Sequence, residues 1–168
     1  MEEQVEAQKP RRRIIVVIII VITVLILGAG GWIAKGYYQH QQVVKQVPED
    51  VLTSVDFGLF LPKKSVANIN AESFDYSLGV VQFTANYSGA QLQFAEQKKT
   101  PEFDISKFAG GIQISGVRQL TIPQGQVVIG SIQDKEIAIM DTGGTIITLT
   151  GSKSSNSAEL VMRSLQKL

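Results

Sequence analysis

The chain has 168 residues, no cysteine, a single histidine, and 16 basic against 15 acidic side chains. Without cysteine there can be no disulfide, thiolate metal site, cysteine nucleophile or lipid-modified cysteine anchor. The near-cancelled charge offers no basic face for nucleic acid, and His40 alone gives a serine nucleophile no partner base in the C-terminal region.

Residues 1–13 (MEEQVEAQKPRRR) are polar and interrupted by Pro10, which predicts a disordered tail. Ile14 to Ala34 (IIVVIIIVITVLILGAGGWIA) contains no charge. At about 1.5 Å of rise per residue it reaches about 32 Å as a helix, enough to cross a hydrocarbon core of about 30 Å. A transmembrane helix is therefore expected. A cleaved signal peptide is the alternative, with Ala29 and Gly31 as the small positions, but its apolar region normally ends within about 15 residues. A buried core helix would need protein on every side. Lys9, Arg11, Arg12 and Arg13 precede the run and only Lys35 follows closely, so the N-terminus is expected in the cytoplasm and the C-terminal bulk outside. Trp32, Tyr37 and Tyr38 then fall at the outer interface, and Arg11 to Arg13 lie where anionic head groups would be. Gly30-xxx-Ala34 is a single small-xxx-small pair for helix packing.

Residues 35–53 read as a juxtamembrane stalk, glutamine-rich up to Pro48, with His40 as a solvated stalk residue. Glu49-Asp50 is expected to open a short helical turn before Val51 and Leu52. Residues 54–168 read as one extracytoplasmic domain.

The apolar period there is that of strands. Val55 to Leu61 predicts a strand stopped by Pro62-Lys63-Lys64. Val81, Phe83, Ala85 and Tyr87 alternate with polar residues, Ser88-Gly89 turns the chain, and Ala90, Leu92 and Phe94 return in the same phase. This predicts a hairpin with one face wet. Asn86-Tyr87-Ser88 matches a glycosylation sequon, but Asn and Ser are also ordinary turn residues. Glu96 to Gly111 reads as a charged connection with a helical turn at Asp104 to Phe108 closed by Gly110-Gly111. Strands are then expected at 112–122, 126–133, 136–141 and 145–150, separated by Asp134-Lys135 and Thr142-Gly143-Gly144. The last of these strands are apolar on both faces, so an antiparallel sheet built from them needs a second cover. A terminal helix is expected to supply it, capped by Asn156 with Glu159 and burying Leu160, Val161, Ser164, Leu165 and Leu168. The fold class is α+β: an antiparallel sheet with a C-terminal helix packed on it.

Asp141-Thr142-Gly143, after Ile137 to Met140, resembles the catalytic segment of aspartic peptidases, where two carboxylates share a proton to activate water. One copy would require a symmetric dimer. Gly144 stands where those enzymes carry a small side chain, and Val127 to Gly130 precedes Asp141 although the corresponding family segment follows it. Asp-Thr-Gly-Gly is equally ordinary hairpin chemistry. Asp141 is the catalytic candidate of this rival reading, and the expectation is that no residue is catalytic. Glu72, Asp75, Glu102 and Asp104 lack the spacing of a calcium loop, and Gly110-Gly111 and Gly143-Gly144 lack the basic helix of a phosphate loop. No metal or cofactor is expected.

Ile137 to Met140, Gly143-Gly144, Thr145 to Thr150 and Leu160 to Leu165 together resemble the ending of a bacterial extracytoplasmic domain. That domain stands behind a single transmembrane helix in anti-sigma-factor-like membrane proteins. The resemblance spans about 70 residues and implies a curved antiparallel sheet with helices on one face, similar to lipoprotein-carrier and stress-sensor domains. It departs at the cytoplasmic side, where about thirteen residues are too few for a sigma-factor-binding domain, so the helix is expected to tether and not to transduce. The expected function is a non-enzymatic binding or assembly module of the cell envelope, with the dimeric aspartic peptidase and a component of a larger envelope machine, held by Gly30-xxx-Ala34 packing, as the alternatives. Its expected partners are the lipid bilayer and an envelope protein or small hydrophobic ligand.

Overall fold

The computed structural model describes residues 46–152 and 157–168. The tail, the Ile14–Ala34 run, its flanking Arg11, Arg12, Arg13, Trp32, Tyr37 and Tyr38, most of the stalk, and Asn156 lie outside the described residues. No helix among the described residues is long and apolar enough to cross a membrane.

The domain is mostly antiparallel sheet with a few short helices. In chain order the elements are α1 (Glu49–Ser54), β1 (Phe60–Pro62), β2 (Asn68–Ser77), β3 (Val80–Tyr87), β4 (Ala90–Lys98), α2 (Ile105–Gly111), β5 (Ser115–Ile122), β6 (Gly125–Ile132), β7 (Lys135–Asp141), β8 (Thr145–Ser152), α3 (Ser157–Arg163) and β9 (Leu165–Lys167). Seven strands form one sheet in the order β2-β3-β4-β8-β7-β6-β5, and β1 pairs with β9 in a separate two-stranded sheet. After β4 the chain leaves the sheet through α2 and re-enters at the far edge. It then returns strand by strand until β8 meets β4.

The expected hairpin forms in the expected register, with Phe83 opposite Phe94, Ala85 opposite Leu92 and Tyr87 opposite Ala90. Because successive side chains point to opposite faces, Val81, Phe83, Ala85, Leu92, Phe94, Ile147, Leu149, Ala138, Met140, Val127 and Ile129 share one buried face. Along it Phe74, Phe83 and Phe94 stack with ring centroids 4.9 and 4.6 Å apart. Stacked pairs of this kind add about 0.5–1.5 kcal/mol each beyond their burial. Over this face lie α1, the β1–β9 pair and α3, whose Ala158, Val161 and Met162 are buried. On the opposite face Val128, Ile137, Ile139 and Ile146 form a second apolar cluster, and Ile105 and Ala109 of α2 cover it. The expected helical turn after Asp104 is thus α2, started by the Asp104 carboxylate accepting from the amides of Ser106 and Lys107 at 2.9 and 3.1 Å. These two bonds, Lys107 first, hold the exposed Asp104 carboxyl below the usual range.

Four expectations need correction. The strand expected over Val55 to Leu61 is paired only at Phe60–Pro62, since the segment before it crosses from α1 to the sheet. Glu96 to Lys98 is not connection but the end of β4, held by β8 through Lys98 opposite Thr145. No strand was expected at Asn68–Ser77, which is polar and mostly exposed; β3 supplies the backbone partners that make it one. The terminal helix stops at Arg163, where the Ser164 amide and hydroxyl both donate to the Val161 carbonyl. Leu165–Lys167 then pairs with β1, Leu160 is 51% exposed, and Met162 takes the buried position. The apolar part of the second face is accordingly covered by α2 and not by the terminal helix.

Candidate functional site

Where α2 stops, no element among the described residues covers the second face. Its side chains follow from register: Asp75, Gln82, Ala95 and Thr148 lie in one row across β2, β3, β4 and β8, and Thr84, Gln93 and Thr150 in the next. Rows are about 7 Å apart along the strands and neighbours about 4.8 Å apart across them. Ser73 completes a cleft of ≈ 320 Å³ over these residues. Among the described residues, Asp75 is the only charged side chain lining it. The strands' own ladders occupy the backbone groups, which leaves amide and hydroxyl groups on the shelf to donate and accept in either direction. Such a surface suits a neutral polar ligand or a flat protein face.

Both outer edges of the sheet are interrupted. Between Asn70 and Asp75 the β2–β3 register shifts, and the Ser73 hydroxyl accepts the Thr84 amide at 2.8 Å while donating to the Asn70 carbonyl at 2.6 Å. On β5 the register shifts between Ser115 and Arg118, with Gly116 at φ +63°. Opposite this shift Gly130 has room for no side chain, since a Cβ there would meet Ile114 and the Ser115 carbonyl. Bulges of this kind blunt an edge against pairing with another chain.

Asp141 lies at the end of β7 on the α2 side of the sheet. One of its carboxylate oxygens meets the Lys99 ammonium at 2.6 Å, and the other accepts the Gly143 amide at 2.8 Å. Thr142 and Thr145 exchange hydroxyl and backbone bonds at 3.0 Å, and Gly143 sits at φ +89°. Asp-Thr-Gly-Gly is thus the β7–β8 turn, with one Asp141 oxygen engaged within it and the other by Lys99. The other candidate carboxylates stay apart. Asp104 caps α2, Asp75 accepts from the Ser77 hydroxyl, and no group of three potential metal ligands occurs among the described residues.

Two acidic residues that sequence reasoning passed over are buried. Glu96 is fully buried on the main core face, between Val81 and Ile147 in register. Its Oε2 accepts the Phe60 amide at 2.9 Å, and its Oε1 has no partner. Burial pushes this carboxyl well above the usual range, opposed only by the Phe60 bond. Glu136 occupies the same phase on β7 and accepts the Ser157 hydroxyl at 2.8 Å and the Ala158 amide at 3.3 Å. One glutamate ties β1 to the sheet and the other ties α3 to it. The signal was in the phase: Glu96 continues the inward series Leu92, Phe94, and Glu136 precedes the inward Ala138 and Met140. Both lie on the face away from the polar cleft, in covering contacts and not at an open site.

Comparison with protein-family models, with curated proteins and with solved structures finds no match to this chain.

Proposed function

We infer that the chain is a non-enzymatic binding module of a bacterial-type cell envelope. In this reading the Ile14–Ala34 helix anchors it with the N-terminus inside, and the domain that follows works outside the membrane. The observation that carries the binding role is the uncovered polar shelf of Gln82, Thr84, Gln93, Thr148 and Thr150, beside a half-face that α2 does cover. The shelf favours a polar envelope component, protein or small molecule, over the hydrophobic ligand allowed by the sequence. The bulged edges favour recognition by this face over strand addition. The curved sheet implied by the family resemblance would deepen the same cleft.

Purification of the full chain in mild detergent from an envelope fraction, beside a Gln93→Lys/Thr150→Lys variant, tests this. A molecule that co-elutes with the natural chain and is lost from the variant supports the reading. A chain that elutes alone, or a companion retained equally by both, overturns the shelf as the binding surface.

A further inference from the structure

The turn between β2 and β3 is built against two physical preferences. Leu78 and Gly79 have φ +52° and +78°, the pattern of a two-residue hairpin turn with both central residues left-handed. Glycine and asparagine suit that position, whereas leucine's Cβ crowds the following carbonyl there. The sibling turn between β3 and β4 has the same geometry, φ +47° and +81°, and carries Ser88-Gly89. Leu78 is also completely exposed, at 102%, whereas Phe108, Val117 and Leu160 reach only 43–51%. A strained backbone that presents a whole leucine to solvent points to something that receives it.

What surrounds the tip indicates the receiver. Val80 lies opposite Gln97, so the β2–β3 turn stands beside Lys98 and Lys99, and the Lys99 amide bonds the Gly144 carbonyl of the β7–β8 turn. Both lysines are neutralised, Lys98 by Asp56 and Lys99 by Asp141, each at 2.6 Å. Among the described residues neither lysine beside the tip is bare, and the nearest unpaired charge is the Asp75 carboxylate, which accepts from the Ser77 hydroxyl at 3.1 Å. The segment leaving α1 comes to the same end of the sheet, where Asp56 meets Lys98 and the Gly58 carbonyl accepts the Thr145 hydroxyl at 2.8 Å. From Ala34 to Val47 the chain advances 13 residues, which span at most about 47 Å when fully extended.

We propose that the Leu78 turn inserts into the interface of the lipid bilayer and so orients the domain. This rests on the anchor reading of Ile14–Ala34. One leucine holds no free protein on a membrane. Tethering makes the contact intramolecular, however, and at the effective concentration set by a short linker a weak contact is enough to fix an orientation. Since both lysines beside the tip are paired, the insertion is apolar and needs no anionic lipid.

The composition makes the test clean, because the chain has no cysteine and one tryptophan, Trp32. Full chains carrying Leu78→Cys or Ser88→Cys are labelled with an environment-sensitive fluorophore. They are reconstituted into phosphatidylcholine vesicles with and without phosphatidylglycerol, and quenched with brominated lipid. The expected result is quenched Trp32 emission in both proteins, with a blue-shifted and quenched label at position 78 and an unshifted, unquenched label at 88. Trp32 quenched while 78 behaves like 88 overturns the insertion and leaves the anchor standing. Trp32 unquenched overturns the anchor reading and the insertion with it. A label at 78 that is wet in vesicles but shielded once envelope proteins are added overturns lipid as the receiver and assigns the turn to a protein. Leu78→Asn, which suits the turn, is the control for folding and is expected to abolish orientation without loss of secondary structure.

Discussion

Replacing Glu96 by glutamine keeps an acceptor for the Phe60 amide and removes a proton equilibrium from the core. In the native protein burial holds this carboxyl well above its usual range, so the folded chain keeps a proton that the unfolded chain releases near pH 4.3. Below that pH both states are protonated and the group adds no pH dependence. As pH rises from there toward the raised native value, stability falls by about 1.4 kcal/mol per pH unit, and above the native value the loss is complete and constant. Glu96→Gln is flat across the same window. Protonated glutamic acid and glutamine each place one donor group where Glu96 Oε1 has no partner, so near pH 4 the two proteins should agree within about 1 kcal/mol. Their difference should then widen in favour of glutamine by about 1.4 kcal/mol for each unit crossed. Urea unfolding followed by far-ultraviolet circular dichroism from pH 4 to 8 measures it, and hydrogen exchange at Phe60 reports whether β1 opens first. Parallel curves for the two proteins, or a variant less stable than the natural chain at pH 7, would refute the claim that Glu96 is carried neutral.

Three other substitutions probe the remaining contacts. Leu78→Asn should raise stability by about 1 kcal/mol through relief of the left-handed turn, read by the urea midpoint; an unchanged midpoint would mean that the turn is not strained. Val161→Ala, in the buried face of α3, should cost about 1–3 kcal/mol, whereas Leu160→Ala should stay within about 0.5 kcal/mol; the reverse order would restore the helix face expected from the sequence. Asp141→Asn breaks the Lys99 pair and should lower stability by about 1–2 kcal/mol while leaving no proteolytic activity to lose. A peptidase activity that vanishes in this variant at unchanged stability would establish the rival enzyme reading.

The elements legible in the amino-acid sequence were those whose stabilisation is local. The β3–β4 hairpin follows from alternation around Ser88-Gly89, α2 from the turn at Asp104 to Phe108 closed by Gly110-Gly111, and β6 to β8 from apolar runs divided by turn residues. Each depends on the phase of neighbouring side chains or on a bond within a few residues, and both are readable along the chain. What lacked such a signal was decided by partners distant in sequence. Asn68–Ser77 is polar and becomes a strand because β3 offers its free edge. Leu165–Lys167 leaves the helical pattern because β1 lies beside it. The same division runs through the candidate site. The polar phase of Gln82, Thr84 and Gln93 was visible in the alternation, whereas the strand of Thr148 and Thr150 read as apolar on both faces; the exposure of all five depends on how far α2 reaches across the second face. Glu96 stood in the inward phase of its strand, and only β1 crossing above it turned a strand-end glutamate into a buried, half-partnered acid. Phase belongs to the strand and travels with the sequence. Burial belongs to whatever packs against the strand, and the tertiary structure alone supplies it.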